Sequence, residues 1–105
     1  MTVKEYISGK FQSFGIQVSE ADLWDMSLDA FVWQDDDIDT DNRDTVSVAM
    51  ARFIPSLLLR AASVSESGFS MSWNIQGIKD YYAMLCRQYG LKDELNDHKP
   101  RIRFL

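Results

Sequence analysis

The chain has 105 residues, 46% of them hydrophobic, and a formal net charge of −5. That length allows one hydrophobic core and leaves no room for a second, and the hydrophobic content excludes wholesale disorder. An acidic chain without a basic stripe is also a poor ligand for duplex DNA, because such binding depends on neutralised phosphates. We therefore expect one helical domain over residues 1–97 with no sequence-specific nucleic-acid binding, followed by a basic tail over residues 98–105.

The cysteine content and the hydropathy indicate where the chain resides. Cys86 is the only cysteine, so no internal disulfide can form, which is typical of a reducing compartment. No apolar run approaches the roughly 18 residues of a membrane span, and the first residues lack the order of a signal peptide. We expect a soluble protein without membrane contact, located in the cytoplasm or, if it derives from a phage, in a virion.

Helical spacing predicts a first helix over residues 3–14, with Thr2 as N-cap and Gly15 as C-cap. Gly9 lies inside it and costs about 1 kcal/mol relative to Ala, which a docked helix tolerates. A close contact with another helix would explain a glycine at this position. The predicted apolar side consists of Val3, Ile7, Phe11 and Phe14.

A second helix opens with Ser19 and Asp22, whose spacing is that of a capping pair. Its apolar residues are too many for one narrow stripe: Leu23, Trp24, Met26, Leu28, Ala30 and Phe31. The helix is therefore either nearly engulfed or uses a second face against a partner. Trp24 and Trp33 are candidates for that contact, because interfaces favour Trp. The alternative is core packing.

Residues 34–44 contain six Asp and little to bury. The alternation of Asp37, Asp39 and Asp41 is similar to the ligand spacing of an EF-hand calcium loop. Counted from Asp37, however, position six is Asn42 instead of Gly, and position twelve is Val48 instead of Glu. The sequence favours a solvated loop that caps the next helix through residues such as Asp41, Asn42 and Asp44 over a cation site.

The third helix has the strongest periodicity and is predicted to form the core. Pro55 should kink or divide it near Phe53, since proline lacks an N–H and clashes with the preceding turn. Arg52 and Arg60 mark a polar side that faces solvent or an acidic partner. The apolar positions are Val46, Ala49, Met50, Phe53, Ile54, Leu57, Leu58 and Ala61.

From residue 63 to residue 73 the period changes to two, with Phe69, Met71 and Trp73 on one side. This predicts a short extended arm or hairpin, which must pair within the domain or with a neighbouring subunit. A last helix begins near Asn74 and ends before Gly90, with Cys86 as a small buried packing residue. Its apolar line is Ile78, Tyr81, Tyr82, Leu85 and Tyr89.

No arrangement typical of catalysis occurs in the sequence. The single histidine, His98, has no partner nearby in sequence, and the five glycines are too isolated for a phosphate-binding loop. We predict no enzyme activity, no catalytic residues, no cofactor and no metal site. The tail holds Arg101 and Arg103 between apolar residues, which suits docking on an acidic surface such as the 35–44 loop of another copy.

The predicted architecture is mainly α, a small bundle of about four helices with a short extended segment between the last two. The stretch from Leu57 to Ala62 followed by Val64, Ser65 and the residues up to Ser72 resembles small head-tail connector (adaptor) proteins of long-tailed bacteriophages and prophages. The resemblance covers roughly residues 3 to 90.

That resemblance implies a structural protein that forms a ring, typically of about a dozen subunits, beneath the portal and next to the tail. Each subunit of such a ring meets its neighbours through two different surfaces. The candidate interface residues are Trp24, Trp33, Phe69, Met71, Trp73, Arg101 and Arg103. The alternative is a small helical interaction or regulatory module of a bacterial system, such as an antitoxin-like binding protein.

Overall fold

The computed structural model describes residues 1–64 and 73–95 as a bundle of four helices. These are α1 (Val3–Gln12), α2 (Glu20–Asp29), α3 (Arg43–Val64) and α4 (Ile75–Tyr89). The described ranges contain no strand and only an isolated antiparallel bridge between Thr2 and Asp37. Helix α3 is central because α1, α2 and α4 all pack against it, whereas α4 does not pack against α2. The predicted mainly-α bundle is confirmed.

Side chains that satisfy free backbone N–H groups fix where the helices begin. Thr2 and Glu5 form a reciprocal capping box, as do Ser19 and Asp22. In α4 the Asn74 side chain accepts from the Gly77 N–H at 2.9 Å. The sequence predicted each of these helix starts correctly, because capping depends on residues only three apart.

Helix α1 ends at Gln12, two residues earlier than predicted. Gly15 adopts a left-handed φ of 76°, and the N–H of Ile16 donates to the Phe11 carbonyl at 3.1 Å. This is a Schellman turn, in which a left-handed residue lets the chain satisfy the last carbonyls of a helix. Gly15 therefore closes the helix as expected, although Phe14 lies in the turn.

The core lies where α3 meets the other three helices. Phe11 of α1 packs edge-on against Phe53 of α3, with the ring centroids 5.9 Å apart. The predicted core line of α3 is confirmed at Val46, Ala49, Met50, Ile54 and Leu57, while Phe53 and Leu58 are half-buried. From the other helices the core includes Val3, Ile7, Leu23, Met26, Ala30, Ile78, Tyr82, Leu85 and Cys86.

Helix α3 runs through Pro55 as one element of 22 residues, so the predicted division does not occur. Ile54 and Leu57 are both buried, and their packing on either side of the proline holds the chain in one helix. The Ser56 hydroxyl also donates to the Phe53 carbonyl at 2.9 Å. Tertiary packing therefore outweighs the loss of one backbone hydrogen bond.

Two further expectations change on this structure, and two predicted segments are not tested by it. Gly9 is exposed, and a Cβ added there would meet nothing within 4 Å, so the expected close helix contact is absent. Residues 63 and 64 belong to α3, so the predicted extended segment does not begin there. The rest of that segment up to residue 72, with Phe69 and Met71, lies outside the described residues, as does the tail at 98–105.

Within the described ranges, no helix has both the length and the apolar character required to cross a membrane.

Candidate interaction surface

Helix α2 has two apolar faces. One is buried against α1 and α3 and carries Leu23 and Met26, continued by Ala30 just past the helix. Trp24 and Leu28 lie one turn apart on the opposite side, where both side chains remain exposed. The excess of apolar residues predicted for this helix is therefore divided between the core and a solvent-facing stripe.

The solvent-facing stripe, called the outer stripe below, consists of large apolar side chains. The exposed fractions are 40% for Trp24, 62% for Leu28, 94% for Phe31 and 65% for Trp33. Trp24 and Trp33 contact each other edge-on, with the ring centroids 6.2 Å apart. Single exposed apolar residues are ordinary on proteins, but a contiguous group of this kind marks a binding surface.

A buried amide orients the tryptophan pair. The oxygen of the Gln34 amide, in its hydrogen-bonded orientation, accepts from Trp24 Nε1 at 3.2 Å, and its nitrogen donates to Glu20 at 3.1 Å. The backbone carbonyl of Gln34 accepts from the backbone N–H of Lys4 at 3.0 Å. Because the indole N–H is already satisfied inside the domain, the exposed part of Trp24 is apolar surface held in a defined orientation.

Phe31 occupies an unfavourable backbone conformation. Its φ is 61°, and Val32 donates to the Ser27 carbonyl at 3.1 Å in a Schellman turn like that of α1. Helices α1 and α4 place Gly15 and Gly90 at the equivalent left-handed position. A bulky residue is rare there because its Cβ crowds the backbone. The phenylalanine gains no burial in the domain in return.

A shallow groove, the seam groove, runs between α2 and α3 beside the outer stripe. It consists of two adjoining hollows of about 290 and 310 Å³ that share Asp29 and Arg52. These two residues form an ion pair at 3.3 Å across the seam. Met26, Ala49, Phe53 and Val48 contribute apolar surface, Phe31 lies at one end, and the remaining charged residues are Asp25 and Asp44. The groove combines an apolar base with a predominantly acidic rim.

The two arginines on the polar side of α3 contact acids of the same chain. Arg52 pairs with Asp29, and Arg60 pairs with Asp22 at 3.1 Å while lying over the Phe53 ring. Their expected orientation toward solvent is correct, since both side chains remain more than half exposed. The acidic groups that they meet come from α2.

The aspartate-rich loop organises the start of α3. Asp39 accepts from the N–H groups of Asp41 and Asn42, and Asn42 accepts in turn from the Asp39 N–H at 2.9 Å. These hydrogen bonds order the turn over residues 40–42 that precedes α3, and the N–H groups that they satisfy lie ahead of the helix. The capping role predicted for Asp41, Asn42 and Asp44 therefore stays a prediction. In the described part of the chain, no group of three or more His, Cys, Asp or Glu side chains is placed to hold a metal ion.

Cys86 packs in the core beside Tyr82. The N–H of Glu94 donates to the Tyr82 hydroxyl at 2.9 Å, and the Cys86 sulfur lies 3.8 Å from the Lys92 carbonyl. Burial raises the pKa of the Cys86 thiol, and it raises the pKa of Tyr82 to about 12. A thiol with a raised pKa contains little of the reactive thiolate near neutral pH, so this arrangement suits the predicted packing role.

The structure separates the predicted interface residues. Trp24 and Trp33 lie together on the outer stripe, whereas Trp73 is half-buried against the core. Phe69, Met71, Arg101 and Arg103 lie outside the described residues. Sequence reasoning did not single out Leu28 and Phe31 as surface residues. The spacing of four between Trp24 and Leu28 is the signal that groups those two on one helix face, whereas Phe31 lies past the end of α2, where helical spacing gives no signal.

Comparison with known proteins places the chain without revealing an activity. No curated protein and no solved structure matches it. The family DUF6706, described as a family of unknown function, matches residues 1–104. Because the match extends over nearly the whole sequence, the chain belongs to the DUF6706 family.

Proposed function

We propose that this chain is a non-enzymatic structural subunit of the phage or prophage head-tail connector kind, which assembles as a ring between portal and tail. The observation that carries the proposal is the outer stripe of α2. A helix in an isolated domain needs only one apolar face, yet α2 presents a second one after the core is filled. The second face suits contact with another protein surface.

The composition of the outer stripe supports an assembly surface. Trp24, Phe31 and Trp33 are aromatic, and large aromatic side chains contribute most of the binding free energy in many interfaces. Gln34 holds Trp24 in place before binding, and Trp33 packs edge-on against Trp24. A preorganised surface loses little conformational entropy when a partner covers it.

A ring also requires that each subunit use two different surfaces, because only a heterologous contact repeats around a closed circle. The outer stripe provides one of these surfaces in our proposal. The partners would be further copies of this chain, and portal and tail proteins at the two sides of the ring.

The alternative function is a small helical interaction or regulatory module of a bacterial system, for example an antitoxin-like binding protein. The same outer stripe favours it, because a preorganised aromatic surface can equally bind one copy of an unrelated protein. The two functions differ in assembly state. A connector subunit forms large closed oligomers, whereas a module remains a monomer or dimer at every concentration.

Light scattering after size-exclusion chromatography, together with native mass spectrometry, tests the proposal on the full-length chain. We expect one discrete oligomer of high order whose fraction rises with concentration. Leu28→Glu introduces a charge in the outer stripe and should shift the population to monomers. Met84→Glu is the matched control, because Met84 is also exposed but lies on α4.

Two results would contradict the proposal, the first through the ring and the second through the surface that forms it. One is a wild-type chain that remains monomeric or dimeric at all concentrations, which would favour the regulatory module. The other is an oligomer that resists Leu28→Glu, which would remove the outer stripe from the interface. Circular dichroism shows whether each variant keeps its helix content.

A further inference from the structure

Charge is unevenly distributed along the chain: residues 1–62 are acidic and residues 98–105 are basic, so the two segments are electrostatically complementary. Residues 1–62 carry eleven acids and five bases, a net charge of 5 − 11 = −6. Residues 98–105 carry Lys99, Arg101 and Arg103 and no acid. We propose that residues 98–105 of one copy occupy the seam groove of the neighbouring copy. This inference rests on the proposed assembly and adds its second surface.

The seam groove suits a cationic and apolar segment. Its rim carries the carboxylates of Asp25, Asp29 and Asp44 against one guanidinium, that of Arg52. Asp25 has no ion-pair partner among the described residues. Arg52 engages Oδ1 of Asp29, so an approaching base has Oδ2 as a second acceptor. Asp44 is already paired with Arg43 at 3.6 Å and accepts from the Tyr89 hydroxyl at 3.0 Å. The acceptors that the groove offers to a base are therefore mainly Asp25 and Oδ2 of Asp29.

The segment has the complementary pattern. Our proposal requires the bound segment to be extended, which would place Arg101 and Arg103 on one side and Ile102 and Phe104 on the other. Alternate residues of a strand lie about 6.6 Å apart, and residues four apart on a helix lie about 6 Å apart along its axis. The spacing of Arg101 and Arg103 thus matches that of Asp25 and Asp29, while the apolar side faces the base of the groove.

The position at which the described chain ends favours a neighbouring copy as the source of the segment. Residues 91–95 run back along α4, where the Glu94 N–H reaches the Tyr82 hydroxyl. Helix α4 packs on α3 and not on α2, so α3 lies between α4 and the hollow lined by Asp25. The end of α4 does reach the other hollow, where the Tyr89 hydroxyl donates to Asp44 at 3.0 Å. A contact between two different surfaces of neighbouring copies is heterologous, which is the type of contact that closes a ring.

Charge reversal tests the contact in the full-length chain. Arg101→Glu with Arg103→Glu should weaken self-association about tenfold, because two interface charge pairs become repulsive. Lys79→Glu with Arg87→Glu is the matched control, since it changes the net charge equally on exposed positions of α4. Adding Asp25→Arg to the tail variant should restore association, measured by analytical ultracentrifugation at constant ionic strength.

Zero-length carbodiimide cross-linking identifies the copy that donates the segment. Isotopically heavy and light chains are mixed, allowed to exchange and cross-linked, and peptides joining Lys99 to Asp25, Asp29 or Asp44 are analysed by mass spectrometry. We expect a large share of mixed-isotope pairs. Pairs of a single isotope only would place the segment on its own chain and overturn the inference.

The outcomes separate this inference from the assembly on which it rests. If Leu28→Glu abolishes the oligomer while the tail variant behaves like its α4 control, the ring stands and the segment is not its second surface. If the wild-type chain does not oligomerise, both proposals fail. Loss of association in the tail variant that Asp25→Arg restores supports the segment in the seam groove.

Discussion

The two faces of α2 use the same kinds of side chain for different purposes. Leu23 and Met26 are buried against the neighbouring helices, whereas Trp24 and Leu28, in the same ten-residue helix, remain exposed. Hydrophobicity is similar on both faces, so it does not distinguish the core from the interaction surface. Position relative to α1 and α3 makes the distinction. The buried face should therefore govern folding and the outer stripe should govern association.

The backbone adds a second difference between the faces. The outer stripe ends at Phe31, whose left-handed conformation is unfavourable for any residue except glycine and a few small polar ones. The buried face has no residue with a positive φ. Local stability is thus lowered where the proposed partner binds, which is the usual relation between strained positions and function.

The largest expected effect is on the buried face. Met26→Ala should lower the free energy of unfolding by about 2–5 kcal/mol, because it leaves a cavity in a packed core. Leu57→Ala on α3 should have an effect in the same range of about 2–5 kcal/mol. Leu28→Ala on the outer stripe should change the free energy of unfolding by no more than about 0.5 kcal/mol. Urea denaturation followed by circular dichroism measures all three.

The effects of Met26→Ala and Leu28→Ala on self-association should have the opposite order to their effects on the free energy of unfolding. Leu28→Ala is expected to weaken the oligomer, while Met26→Ala should leave the outer stripe unchanged in whatever fraction remains folded. Equal loss of stability in Met26→Ala and Leu28→Ala would show that the two faces of α2 are not functionally distinct.

Much of the fold was predictable because its determinants are local. The capping pairs at Thr2 and Ser19 and the left-handed glycine at position 90 act over three or four residues, and each was assigned correctly. The sequence predicted a kink or a division at Pro55 because a proline rule is also local, and the division does not occur. Burial of Ile54 and Leu57, which depends on the other helices, holds α3 together through it.

The candidate site was less predictable because it depends on contacts between distant residues. The periodicity of α2 revealed two apolar faces but not which of them α1 and α3 would cover. The seam groove requires Asp29 and Arg52, which are 23 positions apart in sequence. No pattern within either helix indicates that these two side chains meet. From the sequence, Phe31 is one more apolar residue of the second helix. Only the left-handed turn after α2 shows that its side chain faces solvent.

The second-largest expected effect on stability is at Phe31, the residue at the strained end of the outer stripe. Phe31→Gly should raise the free energy of unfolding by about 1 kcal/mol, because glycine adopts the left-handed conformation without a Cβ clash. The same change should weaken self-association by removing the most exposed aromatic side chain. Thermal melting and light scattering on one preparation measure both.

Gly90→Ala is the matched comparison, since it introduces a Cβ at the equivalent turn of α4, where φ is 67°. It should lower the free energy of unfolding by about 1 kcal/mol and leave self-association at the wild-type level. A Phe31→Gly variant that is less stable than wild type would mean that the phenylalanine contributes to the packing of the domain.

The smallest effect extends the comparison to α1. Gly9 lies on an exposed face with open space around it, so Gly9→Ala should raise the free energy of unfolding by about 0.5–1 kcal/mol through reduced backbone entropy in the unfolded chain. Since α1 presents no outer stripe there, self-association should not change. A stabilised chain that assembles less well would show that another backbone approaches Gly9 closely in the oligomer, and that the interface extends beyond α2.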